Sequence, residues 1–204
     1  MAHEAHHGMH GNPEHLDAYI AKMEEPGRAQ WQKPDEVVAA LRLEPGQVAC
    51  DIGAGPGYFS LRLARAVGEA GHVFAADVEP RMLEVLRQRI QSAGSRNLTP
   101  VLALPDDPLL PRAACDLILI VDTWHHFPDG PAYLRALAKS LRPGGRVANI
   151  DFHKRELPLG PPLESKISRE AFLEDARRAG FVLAAEHSFL PYQYFLVLKP
   201  APPR

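Results

Sequence analysis

Several side chains able to do chemistry stand at the ends of short apolar runs, where a fold can hold them in place. Asp51 follows Val48-Ala49-Cys50, Asp77 ends Val73-Phe74-Ala75-Ala76, and Asp106 with Asp107 follows Val101 to Leu104. Asp122 closes Leu117 to Val121 and is followed by Thr123-Trp124-His125-His126; Asp151 ends Arg146 to Ile150 and leads into Phe152-His153. A carboxylate at such a point can accept hydrogen bonds from ligand hydroxyls. A neutral imidazole, with an unperturbed pKa near 6.5, is a general base suited to neutral pH. Between Asp51 and Phe59 lie Gly53, Gly55 and Gly57, a knot that lets backbone approach a ligand closely.

Those residues need a scaffold, and the hydrophobic pattern supplies one. Val48 to Ile52 reads as a strand buried on both faces, Gly53 to Gly57 as a tight turn, and Phe59 to about Val67 as a helix. Strand then alternates with helix. Val73 to Asp77 is followed by a helix carrying Met82, Leu83, Leu86 and Ile90 on one face, and Gly94 ends it. Val101 to Leu104 reads as a weak strand and Asp116 to Val121 as the clearest buried one. A helix follows with Tyr133, Leu134, Leu137 and Leu141, then a fifth strand over Arg146 to Asp151. A last helix over Arg169 to Gly180 and a hairpin of Phe181 to Leu190 with Tyr194 to Leu198 complete the pattern. Apolar strands alternating with helices imply an α/β fold with a parallel sheet covered on both faces. Ligands then bind at the carboxyl ends of the strands, the edge where the aspartates collect.

At 204 residues the chain suits one domain, and 46% apolar residues suffice for a core. A formal charge of −2 gives no basic field, which speaks against a nucleic acid partner. Cys50 and Cys115 have neither metal-ligand nor disulfide spacing and read as reduced core residues. With no apolar run of membrane-spanning length and no signal region, the expected location is cytoplasmic. Before the first strand, Leu16, Tyr19, Ile20 and Met23, and later Val37, Val38 and Leu41, predict two helices placed to lid a pocket, with Trp31 between them. His3, His6, His7, His10 and His15 crowd the N-terminal segment; it reads as a solvated tail, with metal binding by imidazoles as the alternative.

The glycine turn admits more than one nucleotide. A dinucleotide fingerprint wants G-x-G-x-x-G, whereas Tyr58 occupies its last position and the spacing is G-x-G-x-G. Asp77, twenty positions after Gly57, suits the two hydroxyls of a ribose; its structural alternative is a helix N-cap before Arg81.

Four ordered motifs narrow the choice: Asp51-Ile52-Gly53-Ala54-Gly55-Pro56-Gly57, Asp77-Val78-Glu79-Pro80-Arg81-Met82-Leu83, His125-His126-Phe127-Pro128-Asp129 and Leu141-Arg142-Pro143-Gly144-Gly145. Together they resemble the class I S-adenosylmethionine-dependent methyltransferases, in particular the broad type 11 small-molecule group, over roughly residues 37–181. The resemblance implies a doubly wound, Rossmann-like, seven-stranded, mostly parallel sheet with its last strand antiparallel and an N-terminal helical extension. It divides the chain into a tail and helical lid over 1–33 and a methyltransferase domain over 34–204. S-adenosylmethionine is the implied cofactor: Asp51, Gly53, Gly55 and Gly57 would surround its methionine part, Asp77 would hold its ribose, and Asp122 would be a further cofactor contact. The family's usual acidic adenine contact falls on Leu104, so that role passes to Asp106 or to backbone groups. His125 and His126 are the candidate catalytic bases, one of them expected to face the pocket, and His153, Trp31 and Trp124 are candidate acceptor contacts. Tyr192, Tyr194 and Phe195 read as edge-strand core, with an acceptor wall as the alternative.

The implied partner is a small-molecule acceptor, with no nucleic acid, no membrane and no metal. No Asn-Pro-Pro-Tyr-like run follows the fourth strand, and two cysteines are too few to grip arsenite, which sets those subclasses aside. A nucleotide-binding oxidoreductase and a non-catalytic S-adenosylmethionine-binding protein are the competing readings.

Overall fold

The computed structural model describes residues 16–23 and 25–202; the histidine-rich segment before Leu16 lies outside them. Three helices come first, α1 (Leu16–Met23), α2 (Arg28–Gln32) and α3 (Pro34–Ala40). The alternating core follows: β1 (Val48–Ile52), α4 (Ser60–Val67), β2 (His72–Asp77), α5 (Pro80–Ala93), β3 (Leu98–Leu102), β4 (Cys115–Val121), α6 (Gly130–Ala138) and β5 (Leu141–Phe152). Helix α7 (Arg169–Arg178) and strands β6 (Phe181–His187) and β7 (Gln193–Pro200) complete the described chain.

The seven strands form one sheet in the order β3-β2-β1-β4-β5-β7-β6. Strands β1 to β5 pair in parallel, and β7 runs antiparallel between β5 and β6. This is the doubly wound, seven-stranded arrangement implied by the motifs. Strand order reverses between β1 and β4, so the loops leaving these two strands diverge there and open a crevice.

Alternation along each strand divides the core into two layers. Ala49, Val73, Leu117, Leu119, Ala148 and Phe195 pack toward Val37 of α3, Leu63 and Val67 of α4, and Leu83 and Leu86 of α5. Cys50, Ile118, Ile120, Val147 and Leu196 face the other way, against Leu134 and Leu137 of α6 and Phe172 of α7. Both cysteines are free and buried, as their surroundings in sequence suggest.

The helices start where capping residues offer an acceptor. Glu79 accepts from Arg81 N–H at 3.1 Å before α5, Asp129 from Ala132 at 2.9 Å before α6, and Ser168 from Ala171 at 3.1 Å before α7.

Three boundaries differ from the sequence expectation. Lys33, in the left-handed region at φ 46°, ends α2 and begins α3, making three helices before β1 where two were expected. Strand β3 begins at Leu98 and includes Pro100, because it lies at the sheet edge, where a missing N–H is tolerated. Strand β5 begins at Leu141 and carries Pro143-Gly144-Gly145 within it, a register shift opposite Cys115 to Leu117 absorbing the extra residues.

Candidate active site

The loop after β1 is held in a shape that glycine alone adopts without strain. Gly53 has φ 68°, and a Cβ there would lie 2.3 Å from Thr123 Oγ1 in the loop after β4. The two loops flanking the crevice thus touch through a missing side chain. Gly57 has φ 91° and would meet Leu86 of α5 at 2.4 Å. The N–H groups of Gly53 and Ala54 donate to Ala76 O at 2.8 and 3.1 Å, fixing the loop to β2.

Asp51 supports this loop from beneath. Its Oδ2 accepts from Ser60 Oγ at 2.6 Å, which ties β1 to the first turn of α4. Burial pushes its carboxyl up to about 7, against the opposing pull of the Ser60 hydroxyl. Asp77 Oδ2 accepts from Gly55 N–H at 2.7 Å and its Oδ1 from Glu79 N–H at 2.9 Å. The N-cap of α5 is Glu79, which leaves Asp77 to pin the glycine loop. Each carboxylate oxygen of Asp77 retains acceptor capacity for a ligand hydroxyl.

Beyond Asp77, Val78 and Leu104 lie 53% and 49% exposed at the ends of neighbouring strands. Large apolar side chains left open beside a ribose-type carboxylate offer contact to the face of a planar base. Asp106 stands in the exposed loop that follows, where Asp107 accepts from Leu109 N–H at 2.9 Å.

The N-terminal helices bring in residues the motifs did not reveal. The Arg28 guanidinium stacks on the Tyr58 ring at 4.1 Å, donates to Met23 O at 2.6 Å and bonds Gln32 Oε1. Burial lowers its pKa, opposed by Asp122, Tyr58, Tyr19 and Asp51. The Tyr19 phenol is raised by burial and then by Asp122 and Asp77, and Met23 at the end of α1 lies 3.6 Å from where a Cβ on Gly55 would stand, so α1 reaches the same crevice. Gln32, fully buried, donates to Asp122 Oδ2 at 3.1 Å, and Gln193 of β7 donates to Asp122 Oδ1 at 2.6 Å.

Asp122 itself sits at φ 52°, an uncommon backbone for aspartate and one that concentrates at functional sites. Burial, followed by the neighbouring Asp151 charge, raises its pKa. Asp51, Asp77, Asp122 and Asp151 therefore gather at one end of the sheet with Arg28 set among them. That balance favours a ligand carrying positive charge.

Of the candidate bases, His125 and His126 lie side by side, ring centroids 4.0 Å apart. His125 is the more buried, its side chain 10% exposed and Nδ1 3.5 Å from Asp151 Oδ2, while His126 is exposed. His153 follows β5, its ring 6.0 Å from that of Tyr194 and its pKa lowered by burial and by Arg155. Trp31 lies 5.6 Å from the Phe152 ring and 6.4 Å from Tyr192. Trp124, expected among the acceptor contacts, is instead a core residue, edge-on to Phe127 and Phe172 at 5.5 and 4.8 Å. Of the C-terminal aromatics, Tyr194 and Phe195 are core, as their strand position suggested, and Tyr192 joins Trp31. Among the described residues no group of histidines, cysteines and carboxylates could hold a metal ion, and no helix is long and apolar enough to cross a membrane.

Residues 49–145 match a family model described as a methyltransferase domain. Over 129 residues, 63% of the chain, the sequence is 33% identical to a ubiquinone/menaquinone biosynthesis C-methyltransferase of Vibrio vulnificus, of which 48% is covered. It is 27% identical to a demethylmenaquinone methyltransferase of Listeria welshimeri over the same length, covering 54% of that protein. An S-adenosylmethionine-dependent methyltransferase of Aquifex aeolicus superposes with a TM-score of 0.84 at 25% identity, over 89% of this chain and 96% of that one. In its matched region and its fold the chain is similar to the class I S-adenosylmethionine-dependent methyltransferases. The match spans about half the length of the curated relatives. The site would suit S-adenosylmethionine: it has a loop too tight for a Cβ, a carboxylate fixed by two backbone N–H groups, and a cluster of acidic groups at one end of the sheet.

Proposed function

We propose that this protein transfers a methyl group from S-adenosylmethionine to a small hydroxylated aromatic acceptor. The observation that carries the reading is the cluster of Trp31, Phe152 and Tyr192, whose sequence neighbours Gln32 and Gln193 both hold Asp122. It sets an aromatic wall next to the carboxylates on the donor side. The name of the Vibrio relative, which refers to ubiquinone/menaquinone biosynthesis, and that of the Listeria relative, which refers to demethylmenaquinone, favour the same class of acceptor.

In this reading Asp77 holds the ribose, Gly53 to Gly57 line the sulfonium side, Val78 and Leu104 cover the adenine, and Arg28 meets the carboxylate. Asp106 is left to the rim. The donor supplies an activated methyl group, so the chain has mainly to align two reactants, exclude water and move one proton. Helices α1 and α2 cover the crevice, and Arg28 holds them against Tyr58 of the glycine loop. His125 takes the acceptor's proton, with His126 and His153 outside that role, and Trp31 and Tyr192 orient the ring.

Calorimetry with S-adenosylmethionine and its demethylated product tests the first half, and NADH should give no heat. Transfer of labelled methyl to hydroquinones, compared with simple amines and thiols, tests the second. Labelling of the amines alone would refute the acceptor class.

A further inference from the structure

Asp151 is among the most buried charged residues of the chain, with no exposed surface, and it sits at the end of β5 facing the loop that carries His125. Its Oδ1 accepts from Phe152 N–H at 2.8 Å, and its Oδ2 is directed at His125 Nδ1 at 3.5 Å. A buried carboxylate is costly unless hydrogen-bonded and paired, and such distances commonly tighten once a site is filled. Around it stand Asn149, Tyr194 and Asp122. Asn149 is buried on the same face of β5 with neither amide atom partnered, Tyr194 is opposite Asp151 in the β5–β7 register, and Asp122 is bound to Gln32 and Gln193. None of these three brings a positive charge, whereas the imidazole of His125 lies within ion-pair distance of Asp151 Oδ2.

We propose that Asp151 is a positioning residue that fixes neutral His125 as its Nδ1–H tautomer and leaves Nε2 as the proton acceptor for a hydroxyl-bearing substrate. The inference deepens the proposed function and rests on it for the substrate. A carboxylate behind an imidazole selects the tautomer and stabilises the imidazolium that forms, the logic by which aspartate supports a histidine base in hydrolases. In the step so assisted, Nε2 takes the proton of the acceptor hydroxyl. The oxygen's electron pair, or that of a ring carbon conjugated with it, forms the bond to the methyl carbon. The carbon–sulfur bond breaks with its pair left on sulfur, which becomes a neutral thioether. On a ring carbon, loss of that carbon's own proton to solvent restores aromaticity. His126 is exposed, and the backbone N–H of His153 donates to Tyr192 O at 3.0 Å.

The isosteric variant Asp151→Asn separates this role from packing. Phe152 N–H keeps an oxygen acceptor only if the asparagine carbonyl takes the place of Oδ1. The amide nitrogen then occupies the place of Oδ2 and presents N–H to His125 Nδ1. That geometry forces the opposite tautomer. The measurement is nitrogen NMR of the full chain labelled with [15N]histidine, above the titration range, with His125→Gln identifying the resonance. In the wild type the ring should be protonated at Nδ1, and in Asp151→Asn at Nε2. An Nε2–H ring in the wild type, or the same tautomer in both proteins, would overturn the proposal. The wild-type spectrum decides even if the variant does not fold. Because the readout needs neither cofactor nor acceptor, it stands apart from calorimetry with S-adenosylmethionine, whose failure would count against the proposed function alone.

Discussion

The guanidinium of Arg28 lies 4.1 Å above the ring of Tyr58, while Arg62 packs against the same ring at 4.5 Å. Tyr58 is the residue that breaks the dinucleotide fingerprint, and the structure gives it a positive task, holding a lid arginine over the glycine loop. Replacing Arg28 with alanine removes the cation that would meet the cofactor's carboxylate. A charge-assisted bond contributes roughly 1.5–3 kcal/mol, so affinity for S-adenosylmethionine should fall by about tenfold or more. Methylthioadenosine lacks the carboxylate and should bind Arg28→Ala and wild type alike. Calorimetry with both ligands checks the pair, and equal losses for both would assign Arg28 a purely structural role.

Asp77 pins Gly55 and, in the proposed function, would also hold the ribose. Asp77→Asn keeps one good acceptor and Asp77→Ala keeps none, so affinity should decline in that order. A loss of at least about tenfold is expected for alanine, since hydrogen bonds to a charged group contribute roughly 1.5–3 kcal/mol. Thermal shift with the demethylated product reads the series, and an alanine variant that binds as tightly as wild type would remove Asp77 from the ribose role.

Gly53→Ala should destabilise the fold by about 2–4 kcal/mol, from the left-handed backbone together with overlap on Thr123. Adding Thr123→Ala removes the Oγ1 and Cγ2 contacts and should recover part of the loss, the backbone strain remaining. Urea midpoints of the single and double variants supply the comparison. Full recovery would mean that the φ of 68° costs nothing.

Burial raises the Asp51 carboxyl to about 7, whereas the unfolded chain titrates near 4. The native state therefore holds this proton more tightly than the unfolded state does. Its stabilising contribution is complete below about pH 4 and is lost as pH rises through about 7. A cationic ligand offsets the charge that then appears. The thermal shift produced by S-adenosylmethionine should accordingly be larger at pH 8 than at pH 5.5. In Asp51→Asn that pH difference should shrink, and a shift in wild type that is flat with pH would contradict the electrostatic account.

The strand–helix alternation was legible because each buried strand is a nearly unbroken apolar run, as in Leu117 to Val121, and because Gly and Pro punctuate it. The donor side was legible for a related reason: Asp51, the glycines and Asp77 are adjacent to those strands in sequence, so local spacing encodes their geometry. The N-terminal helices and the bridge that holds Asp122 were not. Arg28 and Gln32 reach the site from a five-residue helix with no periodic signal, and Gln193 arrives from a strand 71 residues beyond the Asp122 it bonds. Trp124 was misplaced because sequence cannot say which way a side chain turns after a strand. In the structure it is wedged against Gly130, whose absent Cβ would lie 2.3 Å from the indole. Strand β5 was drawn too short because proline and glycine ordinarily end a strand, and here the register shift absorbs them.

Gln32 and Gln193, separated by 161 positions, approach each other at 3.4 Å while both hold Asp122. During synthesis on the ribosome the early helices and the strands β1 to β5 can be laid down long before β7 emerges, yet Asp122 acquires its second amide only when β7 slides in between β5 and β6. The glycine loop and Asp77 are thus complete in sequence well before the bridge that holds Asp122. A nascent chain would carry the first long before it could close the second.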